Sequence, residues 1–128
     1  MRLLLDTCSF LWITLDSSQF SRIAATAFLD ERSERYLSVA SAWEIAIKYA
    51  TGRLPIPDQP DRFVPAMRDA SGIKALELDE ESALLAGKLP MHHADPFDRM
   101  LVAQAIVHGM TIVTPDLEIA KYPVRVLW

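Results

Sequence analysis

Four acidic residues carry the chemistry of this sequence if they meet. Asp6 ends the apolar run "RLLLD", Glu44 lies early in "SAWEIAIKYATG", Asp98 lies near the start of "DPFDRMLVAQAIVHG", and Asp116 ends "MTIVTPD". Carboxylates held together repel, and a divalent cation removes the conflict. Oxygen ligands without cysteine, with room left for water, suit Mg2+ or Mn2+ rather than structural zinc. A hard cation on carboxylates is equipment for displacement at phosphorus, where it activates water and neutralises charge on the leaving oxygen. The chemistry implied is phosphodiester hydrolysis.

The stretch "HHADPFDR" also has a reading without chemistry. Asp95 suits an N-cap, Pro96 the first helical position, and Asp98 at the third position sits near the positive end of the helix dipole. Asp-Pro-x-Asp ahead of an apolar run is common helix punctuation. Asp95 is therefore either an auxiliary member of the site or only a cap. Whether the acids meet at all depends on the elements that carry them.

Those elements alternate. Residues 2–6 form a continuous apolar run, as expected of a strand buried on both faces of a parallel sheet. Helical material follows, including "SQFSRIAATAFLDERSE", in which Ile23, Ala27 and Phe28 share a face. A short strand at 35–39 precedes a helix with Ser41 as N-cap candidate, Glu44 three positions later and Gly52 as terminator. "RLPIPDQPDRF", with Pro55, Pro57 and Pro60, reads as a loop, after which residues 61–71 return to helix. A strand at 73–78 and a helix at 79–90 with an acidic first turn come next. The helix from Pro96 to His108 stops at Gly109, a buried strand covers 110–116, and residues 124–128 close the chain as an edge strand.

Strands alternating with helices predict an α/β fold: a parallel sheet with helices on both faces, joined by right-handed crossovers. Ligands of such sheets bind beyond the carboxyl ends of the strands. Asp6 and Asp116 follow strands and so stand at that end. Helices connecting parallel strands begin there too, which brings Glu44 and Asp98 to the same place.

Composition sets the remaining bounds. The 128 residues, 51% hydrophobic, predict one domain spanning 1–128, long enough to bury roughly two thirds of its unfolded surface. With 13 basic and 17 acidic residues the net charge is -4, which excludes a histone-like electrostatic nucleic-acid binder; a polyanion would be met locally, with a metal supplying the positive charge. Cys8 is the only cysteine. That rules out an internal disulfide and multi-cysteine zinc sites, fits a reducing cytoplasm, and leaves Cys8 as a small buried hydrophobe. Asp6 interrupts the first apolar run and no small-residue cleavage site follows, which argues against a signal peptide. No stretch approaches the roughly 20 apolar residues needed to span a bilayer. The expectation is a soluble cytoplasmic protein without a membrane partner.

The segments "LLLDT", "SAWEIAIK", "HHADPFDRMLVAQA" and "IVTPD", in this order, resemble the motif set of PIN-domain ribonucleases, and most of all the VapC-like toxins of bacterial toxin-antitoxin pairs. The resemblance covers nearly the whole chain, including "LPMHHADPFDR" and "VRVLW". It implies a three-layer α/β/α sandwich with a central parallel sheet, Mg2+-dependent endoribonuclease activity on RNA, a homodimer, and neutralisation by a cognate antitoxin. The acidic cluster of similar families falls here on Asp6, Glu44, Asp98 and Asp116. Cys8 departs from the pattern, standing where relatives often carry His. On this resemblance Asp6 and Asp98, with Asp116, are the expected metal ligands. Glu44 and Asp116 complete the shell or orient the attacking water. Thr7, Ser41 and Thr114 stand beside the carboxylates and are expected to hold their rotamers.

Other residues have weaker claims. His92 and His93 are adjacent, do not share a helix face and have no third nitrogen ligand, so they read as loop residues, with His93 a candidate contact for substrate or antitoxin. Trp12, Trp43 and Phe97 have the chemistry to stack on RNA bases, although core or interface packing is favoured for Trp43 and Phe97. Lys48, Arg53 and Arg99 are candidates for phosphate contact against the alternative of solvated helix faces, Arg99 foremost because it adjoins Asp98. Phe10, Leu11, Trp12 and Phe28 exceed what one small core needs and predict a homodimer burying part of them. Three rivals remain. A phosphoacceptor, receiver-like signalling domain needs paired acids after the first strand, where "LLLDTC" offers one. A haloacid-dehalogenase-like phosphatase needs Asp-x-Asp there, where Cys8 takes the second place. A non-catalytic partner-binding module needs neither.

Overall fold

The computed structural model describes residues 1–128. Its centre is β1 (Arg2–Leu5), whose Leu3, Leu4 and Leu5 are wholly buried. Successive side chains of a strand point to opposite faces, and here they feed two cores. Leu3 and Leu5 join one together with Leu37 and Val113, while Leu4 joins the other together with Ile112. A strand apolar on both faces belongs in the middle of a parallel sheet. β1 accordingly pairs in parallel with β2 (Glu34–Ser38) and with β4 (Thr111–Val113).

The sheet is completed by short edge strands, β3 (Lys74–Leu76) beside β2 and β5 (Arg125–Leu127) beside β4, in the order β3-β2-β1-β4-β5. The closing strand does lie at an edge. The chain reverses its direction of travel between β1 and β4, and an open α/β sheet opens a crevice at such a switch point. The order differs from the 2-1-3-4-5 arrangement of receiver-type domains, which removes the signalling rival on topology.

Helices α1 (Thr7–Thr14), α2 (Arg22–Leu29), α3 (Val39–Ala50) and α4 (Pro60–Ala70) supply Phe10, Ala24, Phe28, Ile45, Phe63 and Val64 to the first core. On the opposite face α6 (Pro96–His108) supplies Leu101, Val102 and Ala105, and α5 (Glu80–Lys88) packs on α6. The two cores on either side of the sheet make the expected three-layer α/β/α sandwich. Gly109 ends α6 in the left-handed region at φ 66, a conformation that costs glycine nothing, and its N–H returns to the Ala105 carbonyl. No helix is long and apolar enough to cross a membrane.

Several local expectations give way. The N-cap of α3 is Ser38, whose Oγ accepts the Ala40 N–H at 3.0 Å, and not Ser41. β2 runs straight into the helix, so its last extended residue does the capping and Ser41 falls inside the first turn. The helical stretch after α1 is confined to Arg22–Leu29, capped by Ser21, and its buried face is Ala24 and Phe28 at a four-residue spacing. Ile23, one position off that face, is 62% exposed. The four residues expected to leave a dimer surface are largely consumed internally. Phe10 and Phe28 are core, Leu11 packs on that core, and Trp12 tilts against Trp128 at 5.6 Å between ring centroids. The C-terminal strand returns beside this helix pair and covers it, so these residues give no ground for a second copy.

Candidate active site

The site begins where β1 ends. Asp6 is the N-cap of α1, and its Oδ1 accepts the Ser9 N–H at 2.8 Å. Its Oδ2 accepts the Thr114 hydroxyl at 2.5 Å, reaching across to the strand-end of β4. The same Thr114 oxygen accepts the Asp116 N–H at 3.0 Å, and Asp116 Oδ1 accepts the Glu118 N–H at 2.8 Å. One threonine therefore sets the backbone of one acid and the carboxylate of another. From α3, Glu44 is buried; Thr7 donates to its Oε1 at 2.5 Å, and Lys48, one turn on, donates to its Oε2.

The start of α6 carries the remaining acids. Asp95 is its N-cap and accepts the Phe97 N–H at 2.8 Å, as the capping reading requires. Asp98, in the first turn, points inward. Asp6, Glu44, Asp98 and Asp116 line one cavity of about 400 Å3, with Asp95, Thr7, Cys8, Leu11, Lys48, Arg53 and Leu54 completing its wall. Asp95 is thus both a cap and a wall of the cavity.

Charge in this cavity is crowded. Burial, followed by the charge of Asp95, pushes the Asp98 carboxyl up to about 7, with Asp6 and Glu44 adding to the push and His93 opposing it. Burial also raises Asp6 despite the bonds from Ser9 and Thr114. Asp116 goes the other way: burial would raise it, but His93 and the Glu118 N–H hold it below the usual carboxylate range. The hydrogen bond to Glu44 raises Lys48 against its partial burial, so the lysine stays charged at the rim. A set of oxygen donors, buried at Asp6 and Glu44 and half-buried at Asp98 and Asp116, with one of them held near neutrality by burial and then by anionic neighbours, fits a hard divalent cation and not a thiolate-type metal site.

Other sequence candidates go elsewhere. Arg99 is buried and turned away from the cavity: it donates to the carbonyls of Ala86, Leu89, Pro90 and His93 and to the Tyr122 hydroxyl. It lies too deep to meet phosphate. Ser41 is buried, its hydroxyl has no hydrogen-bond partner, and it does not line the cavity. Trp43 is not core; it is 60% exposed and packs edge-on against Phe97 at 5.3 Å. Cys8 is half-buried rather than buried, and its Sγ donates to both Asp6 oxygens at 3.5 Å. Burial, then the charge of Asp6, pushes its thiol up, so it remains a protonated donor.

The residue that sequence reasoning placed least well is His93. Its Nε2 lies 3.1 Å from Asp98 Oδ2 and 2.8 Å from Asp116 Oδ2, and its Nδ1 accepts the Asp95 N–H at 3.1 Å. Burial lowers this imidazole, but the bond to Asp116 and the charges of Asp98, Asp116 and Asp95 outweigh it and leave the group raised. The available clue was its position two residues before an N-cap, where a ring can turn back onto the helix start.

Comparison with known proteins agrees with this geometry. The family described as PIN domain matches residues 3–124. The ribonuclease VapC16 of Mycobacterium tuberculosis is 44% identical over 50 residues, a match spanning 39% of this chain and 36% of that protein's length. Among solved structures, VapBC2 from Rickettsia felis bound to a promoter DNA fragment superposes with a TM-score of 0.72 at 13% identity, covering 98% of this chain and 97% of that one. DNA-bound VapBC from Salmonella typhimurium gives 0.67 at 18% identity, covering 98% and 96%. The likeness to the solved structures is one of fold. Since the family match takes in all four acids and nearly every element that positions them, this chain belongs to the PIN domain family.

Proposed function

We propose that the protein is a metal-dependent endoribonuclease and the toxin of a toxin-antitoxin pair. The observation that carries the reading is the convergence of Asp6, Glu44, Asp98 and Asp116 on one cavity whose only basic wall residues are Lys48 and Arg53. The names of the similar proteins, a ribonuclease VapC16 and two VapBC complexes, support it. Asp6, Asp98 and Asp116 would hold Mg2+ or Mn2+. Such a cation, when bound, lowers the pKa of water and neutralises charge on a leaving oxygen.

The chain's own groups do the positioning. Thr7 and Thr114 donate to Glu44 and Asp6 and so hold the orientation of both carboxylates. Glu44, paired with Lys48, is the acceptor best placed to orient an attacking water. Lys48 and Arg53 stand on the wall where a phosphate backbone would pass, giving an acidic protein local purchase on a polyanion. An antitoxin is expected to place an Arg among the carboxylates, since a guanidinium pairs with them in place of metal.

Purified protein should cleave RNA with Mg2+ or Mn2+, lose that activity in EDTA, and lose it in the Asp6→Ala variant. Expression of the wild type should arrest growth, and Asp6→Ala should relieve the arrest while remaining folded. Soluble wild-type protein that neither cleaves RNA nor slows growth would sink the proposal.

A further inference from the structure

We infer that His93, which is not part of the cavity wall, is a positioning residue whose Nε2 links the two acids, bonded to Asp116 and set against Asp98. The inference rests on the metal-centre reading above for its functional consequence, but its geometry stands independently. His93 Nε2, an Asp98 oxygen and an Asp116 oxygen lie within 4.8 Å of one another. A group of that kind invites assignment as a metal site with a histidine ligand. Its hydrogen bonds say otherwise. Nδ1 accepts the Asp95 N–H, so in the neutral ring the proton sits on Nε2, and a protonated nitrogen has no lone pair for a metal. Nε2–H is instead the donor to Asp116 Oδ2 at 2.8 Å, and the same nitrogen stands 3.1 Å from Asp98 Oδ2 as an ion-pair contact.

Direction of approach supports the same assignment. Asp98 and Asp116 line the cavity and His93 does not. The imidazole therefore meets the two acids without itself forming part of the cavity wall. Set between two carboxylates, the Nε2–H bonded to one and close to the other also offsets part of their repulsion before any cation arrives.

The ring is held by a scaffold rather than by chance contact. His93 N–H donates to the Tyr122 hydroxyl at 2.9 Å, its carbonyl accepts from Arg99, and the Tyr122 hydroxyl donates to the Pro90 carbonyl at 2.6 Å. Both backbone groups and both ring nitrogens of His93 are thereby engaged. The N-cap of α6 thus does more than start the helix, because its backbone N–H selects the tautomer of the residue two positions earlier.

Residues that orient metal ligands typically contribute about 10–100-fold to metal affinity. Calorimetric titration with Mn2+ should show His93→Ala weakened by about that factor, with His93→Gln, which keeps an N–H donor at the end of its side chain, lying clearly nearer wild type. Equal or tighter binding by His93→Ala, or His93→Gln as weak as His93→Ala while equally folded, would overturn the inference. A metal-free measurement stands beside it. Imidazole 15N correlation spectra of the wild-type protein, taken at alkaline pH where the ring is neutral, should show His93 as the Nε2–H tautomer, and the Nδ1–H tautomer would overturn the clamp. Should wild type bind no Mn2+ at all, the metal reading falls while the tautomer still decides for or against the clamp.

Discussion

Asp95 and Asp98 stand three positions apart and answer to different physics. Asp95 is a cap, and Asn caps a helix about as well, so Asp95→Asn should keep metal-dependent cleavage. It also removes the strongest neighbouring charge pushing Asp98 up, so Asp98 should titrate lower in that variant. Asp98→Asn should abolish cleavage and stabilise the metal-free protein. The sign follows from linkage. Folded Asp98 holds its proton to about 7, whereas an unfolded aspartate loses it near 4, so between those values the folded state binds more protons and stability falls as pH rises. At pH 8 the variant escapes that loss, a gain on the order of 4 kcal/mol, and at pH 4 it gains little. Urea melts in EDTA at the two pH values check this. A dead Asp95→Asn beside an active Asp98→Asn would move the ligand assignment three residues back.

At the scale of elements, α6 is anchored by a side chain that its sequence neighbourhood disguises. Arg99 follows the catalytic candidate Asp98, yet its guanidinium gathers the carbonyls at the end of α5 and in the following loop, the loop that delivers His93. No carboxylate pairs with it; carbonyl oxygens and a phenol neutralise it by hydrogen bonding alone. Arg99→Met removes several donors from buried carbonyls at once and should cost about 2–4 kcal/mol. Arg99→Lys should recover only part, because an ammonium does not reproduce the planar fork. Chemical denaturation measures both. A phosphate-binding role would give the opposite pattern, weaker RNA binding at unchanged stability.

For the whole molecule, the order β3-β2-β1-β4-β5 puts Asp6 and Asp116 on adjacent strand ends at the switch point. Helix starts at the same end bring Glu44 and Asp98 to them. A homodimer of the kind the sequence resemblance implies must use a surface other than Phe10 and Phe28, which are core. Trp43 is the largest apolar side chain left exposed. Light scattering at micromolar concentration should show a species heavier than the 14.4 kDa chain, and Trp43→Ala should shift it toward the monomer. A monomer alone at wild type would rule out that dimer.

Periodicity and caps are local properties, which is why the alternation of strands and helices, the parallel sheet, the edge position of "VRVLW" and the cap at Asp95 were all legible in the residues themselves. The gathering of four acids was legible too, because in a parallel α/β sheet strand ends and helix starts fall on one side by geometry. What a residue touches is not local. Arg99 and Lys48 are both basic helical residues near an acid, and only packing sends one into a carbonyl cage and leaves the other at the cavity rim. Phe10 and Trp43 are both aromatics on helices, yet one is core and the other surface, since only the assembled layers decide which face is covered. His93 takes its place from Tyr122 and Asp116, residues 29 and 23 positions away, and a contact at that separation exists only once the chain has closed on itself.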